Sequence, residues 1–433
     1  MKKIIALLLA LVMVLGLAAC GAQPTETKAP ETKAAETKAA DATEAATEAP
    51  AAPEAIALKV WGPQEDQADD ASFLPVACQK FNEAHPEWDI TFTFEVCAEG
   101  DAGTMVTKDP SAAADVYMFA NDQLGTLIQA NAIARLGGAT LDEVKATNSE
   151  TMVASVTSGE GVYGVPFTGN TWFMYYDKSV YTEDDIKSLD AMMAKKTVAF
   201  PVTNTWYVPG FFFGMGGTMF GDGTDGTAGI TFGGENGAAA TAYIANALAA
   251  GTMIDDASGA GLDGLRNGTL GAFFSGTWDA KNVEEILGEN YGAAQLPTFT
   301  VNGEEHQLYS FSGSKAFGVN PNSANIKAAT ALALWLGSAE MQDLHFELRN
   351  GEVIPCNADL LASDTDYVNN PAALAQNDTI ANTSKLQPSI PEMGMYWSNA
   401  ESLGKALANG EVNADNAADL TEKWNAGLNN AGL

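Results

Sequence analysis

The chain is 433 residues long and carries a formal net charge of -33, from 55 acidic against 22 basic residues. A surface this acidic repels phosphates, which excludes nucleic acid as a partner, and the length is enough for two domains of ordinary size. Four cysteines and three histidines fall in none of the spacings that hold structural zinc, so neither a metal nor a cofactor is expected.

In chain order, Lys2 and Lys3 precede an apolar run from Ile4 to Leu17, which is too short to span a bilayer and predicts a signal peptide over residues 1–19. It closes on Leu17, Ala18, Ala19 and Cys20, a run that resembles the lipobox of bacterial lipoproteins. That resemblance implies cleavage before Cys20, acylation of the new N-terminus (palmitate among the acyl chains), and a domain held at the extracellular face of the cell membrane of a Gram-positive-type bacterium. More than one buried chain makes such an anchor stable. Setting Cys20 aside leaves Cys78, Cys97 and Cys356. An odd remainder argues against a full disulfide framework, and a Cys78–Cys97 bridge stands beside buried free thiols as the alternatives.

Residues 20–55 repeat Glu-Thr-Lys at Glu26, Glu31 and Glu36 and then drift into Ala, Thr, Glu and Pro. Nothing there can bury a core, so a charged, disordered spacer is predicted behind the anchor. Regular structure is predicted from Ile56. A strand opens at IALKVW, an amphipathic helix follows over Ala71 to Ala84, and a second strand over Trp88 to Val96. A third buried strand is read at Asp115 to Phe119, with a helix from Asp122. Further elements are Thr197 to Val202, a helix over Val208 to Phe220, a helix over Ala238 to Ala250, a strand at Gly271 to Ser275, and helices at Ile326 to Leu336, Tyr396 to Leu407 and Ala417 to Leu428. Strands alternating with helices predict an α/β fold with mostly parallel sheets. The run GDGTDG from Gly221 to Gly226 reads as a hairpin turn. It lacks the spaced acidic positions and closing Glu of an EF-hand calcium loop.

No catalytic set emerges. His85 precedes Pro86 at a helix end and His306 follows two glutamates in a turn. Ser312 to Lys315 fits the SxxK pattern of penicillin-recognising enzymes, in which the Ser should open a helix, but an apolar strand-like AFGVN follows it here. Glu65 and Asp66 could serve as acid and base of a glycosidase, though adjacency in sequence does not fix the gap that such chemistry requires. The tryptophans are more informative. Trp206, Trp278 and Trp397 each stand beside small polar residues, and flat rings next to amides and hydroxyls suit a sugar, whose C–H faces stack while its hydroxyls need hydrogen bonds.

Several segments from Ile56 to the C-terminus carry a family resemblance. Among them are KFNEAHPEWDITFTFE (Lys80 to Glu95), ADVYMFANDQLGTLIQANAIARL (Ala114 to Leu136), YGVPFTGNTWFMYYDKSVY (Tyr163 to Tyr181), GTLGAFFSGTWDAKNV (Gly268 to Val283) and SIPEMGMYWSNAE (Ser389 to Glu401). Their order resembles the maltose/maltodextrin-binding members of the extracellular solute-binding proteins that serve ABC importers. The resemblance implies two α/β lobes with a hinge and an interlobe cleft, residues 56–169 with 309–353 in one lobe and 170–308 with 354–433 in the other. It places Trp206, Trp278 and Trp397 against glucose units, Phe119 where a tryptophan is usual, Asp122 on sugar hydroxyls, and Glu65 with Asp66 at the first strand-to-helix turn. Asn170 and Asn204 stand where glutamates can appear, while Gln123 and Glu401 replace basic contacts. The implied function is non-enzymatic capture of α-linked gluco-oligosaccharides by a monomer that delivers them to ABC permease subunits. Another oligosaccharide, a secreted carbohydrate-active enzyme and a sugar-sensing receptor remain the alternatives.

Overall fold

The computed structural model describes residues 52–363 and 369–430. The signal peptide, Cys20 and the spacer up to residue 51 lie outside the described residues; the spacer's predicted end at residue 55 is corrected, since Glu54 and Ala55 already belong to the first strand. The first strand, Glu54–Gly62, buries Leu58 and Val60 and leaves Lys59 between them half-exposed, the period-two pattern of a sheet. It pairs in parallel with Trp88–Val96 through the helix Phe73–Ala84, a β-α-β unit. That helix buries Phe73, Leu74, Ala77, Cys78 and Phe81, a stripe of one face. It stops at His85 because the residue before Pro86 disfavours helical backbone.

One sheet runs Ser384–Leu386, Ser310–Val319, Val116–Ala120, Glu54–Gly62, Trp88–Val96, with Gly164–Thr171 on the far edge of Ser310–Val319. A second sheet runs Tyr291–Ala294, Phe173–Asp177, Ala272–Ser275, Val198–Phe200, Met253–Asp255. The sheets are mixed: five of their nine strand pairings are parallel, so the parallel majority that the alternation of elements predicts is a narrow one. Ser310–Val319 is antiparallel to both Val116–Ala120 and Gly164–Thr171, and Phe173–Asp177 is antiparallel to both of its neighbours. The antiparallel partners are not consecutive in the chain, and Trp172 joins Gly164–Thr171 to Phe173–Asp177, which lie in different sheets, so direct right-handed crossovers do not set their direction.

Two lobes result, each with its own core. Leu58, Phe81, Tyr117, Phe167 and Phe317 belong to one, and Trp172, Phe200, Phe211, Phe274 and Trp424 to the other. The strand Ser310–Val319 contributes Phe311 to the second core and Ala316, Phe317 and Val319 to the first. Beside it, Gly164–Thr171 hands the chain from Phe167 in the first core to Trp172 in the second. Where the two strands cross between lobes, the buried Thr171 hydroxyl sits 2.7 Å from the Ser310 hydroxyl and 2.6 Å from the Phe311 carbonyl.

The helix expected over Val208 to Phe220 is shorter, Pro209–Gly214. Pro209 opens it, and its glycines let the backbone press against a neighbouring segment: a Cβ on Gly210 would lie 2.2 Å from the Tyr309 carbonyl, and one on Gly214 2.4 Å from that of Gln307. The GDGTDG run forms turns between Met219 and Ile230, which bridge antiparallel. Asp222 and Asp225 accept from Thr224 and Thr227 within it. Cys78, Cys97 and Cys356 are free and buried, so the bridge between the first two does not form.

The crossing makes one expectation concrete. Thr171→Val keeps the shape but strands the Ser310 hydroxyl and the Phe311 carbonyl in a dry environment, so unfolding stability should fall by about 1–3 kcal/mol. Urea denaturation of the two proteins measures it, and an unchanged midpoint would show that the hydroxyl contributes nothing.

Candidate functional site

Trp206 follows the strand Val198–Phe200 on a turn closed by Asn204, whose Oδ1 accepts the Trp206 N–H at 2.9 Å. The Trp172 indole donates to the Trp206 carbonyl at 3.3 Å, and the Trp206 indole donates to Gln387 Oε1 at 3.0 Å. Trp278 lies in the tight turn Thr277–Asp279 after the strand Ala272–Ser275. Its ring folds over Gly276, where a Cβ would come within 2.1 Å of it. The Trp206 and Trp278 rings lie 6.0 Å apart at a tilt of 34°. Trp397, on the helix Met393–Ala408, stands edge-on to Phe311 at 6.2 Å. All three indoles are therefore set by the second lobe. Trp278 is 44% exposed and is the only exposed aromatic ring among the described residues.

Facing Trp278 are Glu65 and Asp66 from the first lobe and Asn170 from the strand that joins the lobes; they share with it a cavity of about 100 Å³ that also includes Lys315 and Arg349. Asp66 is 1% exposed. Its Oδ1 lies 3.0 Å from His345 Nε2 and 2.9 Å from Arg349 Nη1, and His345 is itself flanked by the rings of Phe73 and Phe167. Burial alone would raise the Asp66 carboxyl, but His345 and Arg349 together hold it below the ordinary carboxylate value. Its Oδ2 is buried without a partner. Glu65 is exposed, 3.8 Å from Arg349 Nη2, and Lys315 pairs with Glu99 at 2.9 Å. The Ser312 to Lys315 run lies within a strand, so the helix opening that SxxK chemistry requires is not there.

Asp122 sits on the tight turn Asn121–Gln123. Burial pushes its carboxyl up to about 6, against hydrogen bonds from the Gln123 side chain, at 2.7 Å, and from Trp397. It is thus a first-lobe acid held against a second-lobe indole.

Two sequence-derived candidates are placed differently. Phe119 is wholly buried, its ring edge-on to Tyr117 at 6.3 Å and against Gly164. Its strand is central in the sheet and buried along Val116 to Phe119, so no ring from it reaches the cleft; the expected stacking role is corrected on that ground. Asn204 is exposed, but its Oδ1 already closes the Trp206 turn. Sequence reasoning passed over His345, Arg349 and Gln387 as site residues, and weighed Lys315 only as the lysine of an SxxK pattern. One signal was available for the second: Arg135, Arg266 and Arg349 are the only arginines in the chain, and Arg266 and Arg135 are engaged locally, with Asp263 and the Glu160 carbonyl.

The family profile of bacterial extracellular solute-binding proteins matches residues 77–376. A galactooligosaccharide-binding protein of Bacillus subtilis (strain 168) is 27% identical over 341 residues, covering 74% of this chain and 76% of its own. A solved structure described as being with acarbose is 46% identical, with a TM-score of 0.81, covering 87% of this chain and 99% of its own. A maltodextrin-binding protein of L. casei BL23, solved without ligand, is 26% identical with a TM-score of 0.77, covering 87% and 99%.

The raised Asp122 carboxyl has a definite sign. Its stabilising contribution is complete below the unfolded value of about 3.9 and is lost as pH rises through about 6. Asp122→Asn removes this dependence, so its melting temperature relative to the parent should climb between pH 4.5 and pH 7.5, on the basis of that same linkage. Differential scanning calorimetry across this range checks it, and a difference that stays flat with pH would refute it.

Proposed function

The chain belongs to the bacterial extracellular solute-binding proteins, and we propose that it captures malto-oligosaccharides between its lobes for delivery to an ABC permease. The observation that carries the ligand class is the Trp206–Trp278 pair, 6.0 Å apart, with an exposed indole opposite carboxylates of the first lobe and the Asn170 amide of the connecting strand. Pyranose faces laid on such rings leave water at about 25 cal/mol per Å² of apolar surface, while the hydroxyls find Glu65, Asn170, Asp122 and the free Asp66 Oδ2. Trp397 supplies the third ring. Phe119 contributes from behind, as core residue of the strand that leads into the Asp122 turn.

The cavity beside Trp278 holds about 100 Å³, below the roughly 300–1,000 Å³ usual for small-molecule sites. In our reading the lobes separate to admit a sugar chain and close over it, and ligand shifts that equilibrium by its preference for the closed form. The division proposed is residues 56–169 and 309–353 against 170–308 and 354–433. The two cores and the shared strand Ser310–Val319 support it, although Cys356 and Asn357 still hydrogen-bond to Gln342, which is part of the first-lobe sequence. Closure would present a surface for the permease. The protein acts as a monomer that binds without turnover, and an acylated Cys20 keeps it beside its transporter through the residue 20–55 spacer. No helix among the described residues is long and apolar enough to cross a membrane.

One relative is named for galactooligosaccharides, which keeps a second linkage class in view. The rings accept any pyranose face, and only the polar groups read stereochemistry. Calorimetry with maltotetraose, isomaltotetraose, cellotetraose and a galactooligosaccharide separates these readings. Tightest binding of a sugar other than the malto-series would reassign the ligand, and release of shorter products would make the protein an enzyme. Trp278→Ala and Trp397→Ala should each weaken maltotetraose binding by about 1–3 kcal/mol, the cost of truncating a contact aromatic, while the melting temperature without sugar stays close to the parent value. Unchanged affinity in either variant removes that ring from the site. Replacing Cys20 by Ala should move the protein from the membrane fraction to the medium, and retention in the membrane fraction would argue against the anchor.

A further inference from the structure

We infer that Gln387 is a positioning residue that orients the Trp206 ring and ties that orientation to the first lobe, an inference that rests on the oligosaccharide reading of the cleft. Gln387 is 5% exposed, and three of its polar groups go to three separate parts of the molecule. Its N–H donates to the Ser312 carbonyl on the strand shared by the lobes, at 2.8 Å. Its carbonyl accepts from the Asn121 side chain in the first lobe, at 3.2 Å. Its Oε1 accepts from the Trp206 indole in the second lobe, at 3.0 Å.

The other hydrogen bonds at Trp206 are to its backbone, from Trp172 and to Asn204. They fix where the side chain starts, not which way the ring faces. The ring itself is bounded by Tyr207, edge-on at 5.5 Å, and by the exposed Trp278 at 6.0 Å. Among the described residues Gln387 Oε1 is therefore the polar restraint on the ring, and it matters most once a sugar covers the indole and excludes water from its N–H. A ring held in the stacking orientation beforehand loses less freedom on binding.

The link to the first lobe follows from Asn121. That residue and Asp122 share one tight turn, and Asp122 accepts from the Trp397 indole while Asn121 holds the Gln387 backbone. A single first-lobe turn thus governs two of the three indoles, one directly and one through Gln387. Moving that turn away on opening would release the carbonyl of Gln387 and loosen the acceptor that aims Trp206.

Gln387→Met keeps the length and removes the acceptor, and Gln387→Glu keeps an oxygen where Oε1 stands. Maltotetraose affinity by calorimetry should fall about three- to tenfold for the Met variant, the range set by one net hydrogen bond, and should return to within about twofold of the parent for the Glu variant. In a Trp206→Phe background, which has no N–H to hold, Gln387→Met should cost nothing further, whereas a merely structural residue would cost the same in both backgrounds. Without any sugar, the near-ultraviolet circular dichroism of the tryptophans should change on Gln387→Met in the parent and not in the Trp206→Phe background. Equal losses in the two backgrounds, or no near-ultraviolet change in the parent, overturn the inference. Failure of the parent itself to bind any sugar overturns the oligosaccharide reading and leaves the ligand-free spectra to decide the role of Gln387.

Discussion

The arrangement depends on one strand being shared. Ser310–Val319 is hydrogen-bonded to Gly164–Thr171 along one edge, and along the other to Ser384–Leu386 and Val116–Ala120 in turn. Its backbone is therefore continuous sheet while its side chains are divided between two cores. Buried polar groups at the crossing must be paired, and the Thr171, Ser310 and Phe311 set does this within the strands themselves. The consequence is that the Thr171, Ser310 and Phe311 groups are satisfied without any contribution from the cleft, whose surfaces remain available for a ligand.

The two sides of the cleft are built from different chemistry. The second lobe supplies the indoles, each set by a local device: an asparagine turn at Trp206, a glycine beneath Trp278, a helix face at Trp397. The first lobe supplies charge, in two electrostatic settings. Asp66 lies deep but is compensated by His345 and Arg349, which hold its charge. Asp122 has neutral donors, Gln123 and Trp397, so burial prevails and its carboxyl rises to about 6. In the proposed reading, a ligand that needs both ring faces and polar groups is satisfied only when the lobes meet, and that differential would drive closure.

Most elements were legible along the chain because their burial is periodic. The strand Trp88–Val96 and the helix Ile326–Leu336 fall where alternation and a helical stripe predict them. The Val208 to Phe220 helix was overextended, since Gly216 and Gly217 follow Gly214 too closely for apolar content to prolong it, and Gly216 takes a φ of +86°. The antiparallel pairings are not legible in the sequence for a different reason. Periodicity identifies a strand but carries no information about its neighbour, and the antiparallel partners of Ser310–Val319 are about 150–200 residues earlier in the chain.

By itself the sequence determined the acidic surface, the α/β succession, the absence of a recognisable catalytic spacing and the three tryptophans with their polar neighbours, because each is a property of composition or of residues close in the chain. Tertiary structure alone decided which of those groups meet. Phe119 was withdrawn into a strand buried by its sheet, Asn204 was committed to a turn, and His345 and Arg349 were brought across about 280 residues to Asp66. Gln387 acquired its three partners only when two lobes and a shared strand converged on it. Hydrogen bonds and buried charge act over a few ångströms of space, and separation along the chain places no bound on which residues the fold brings within that distance.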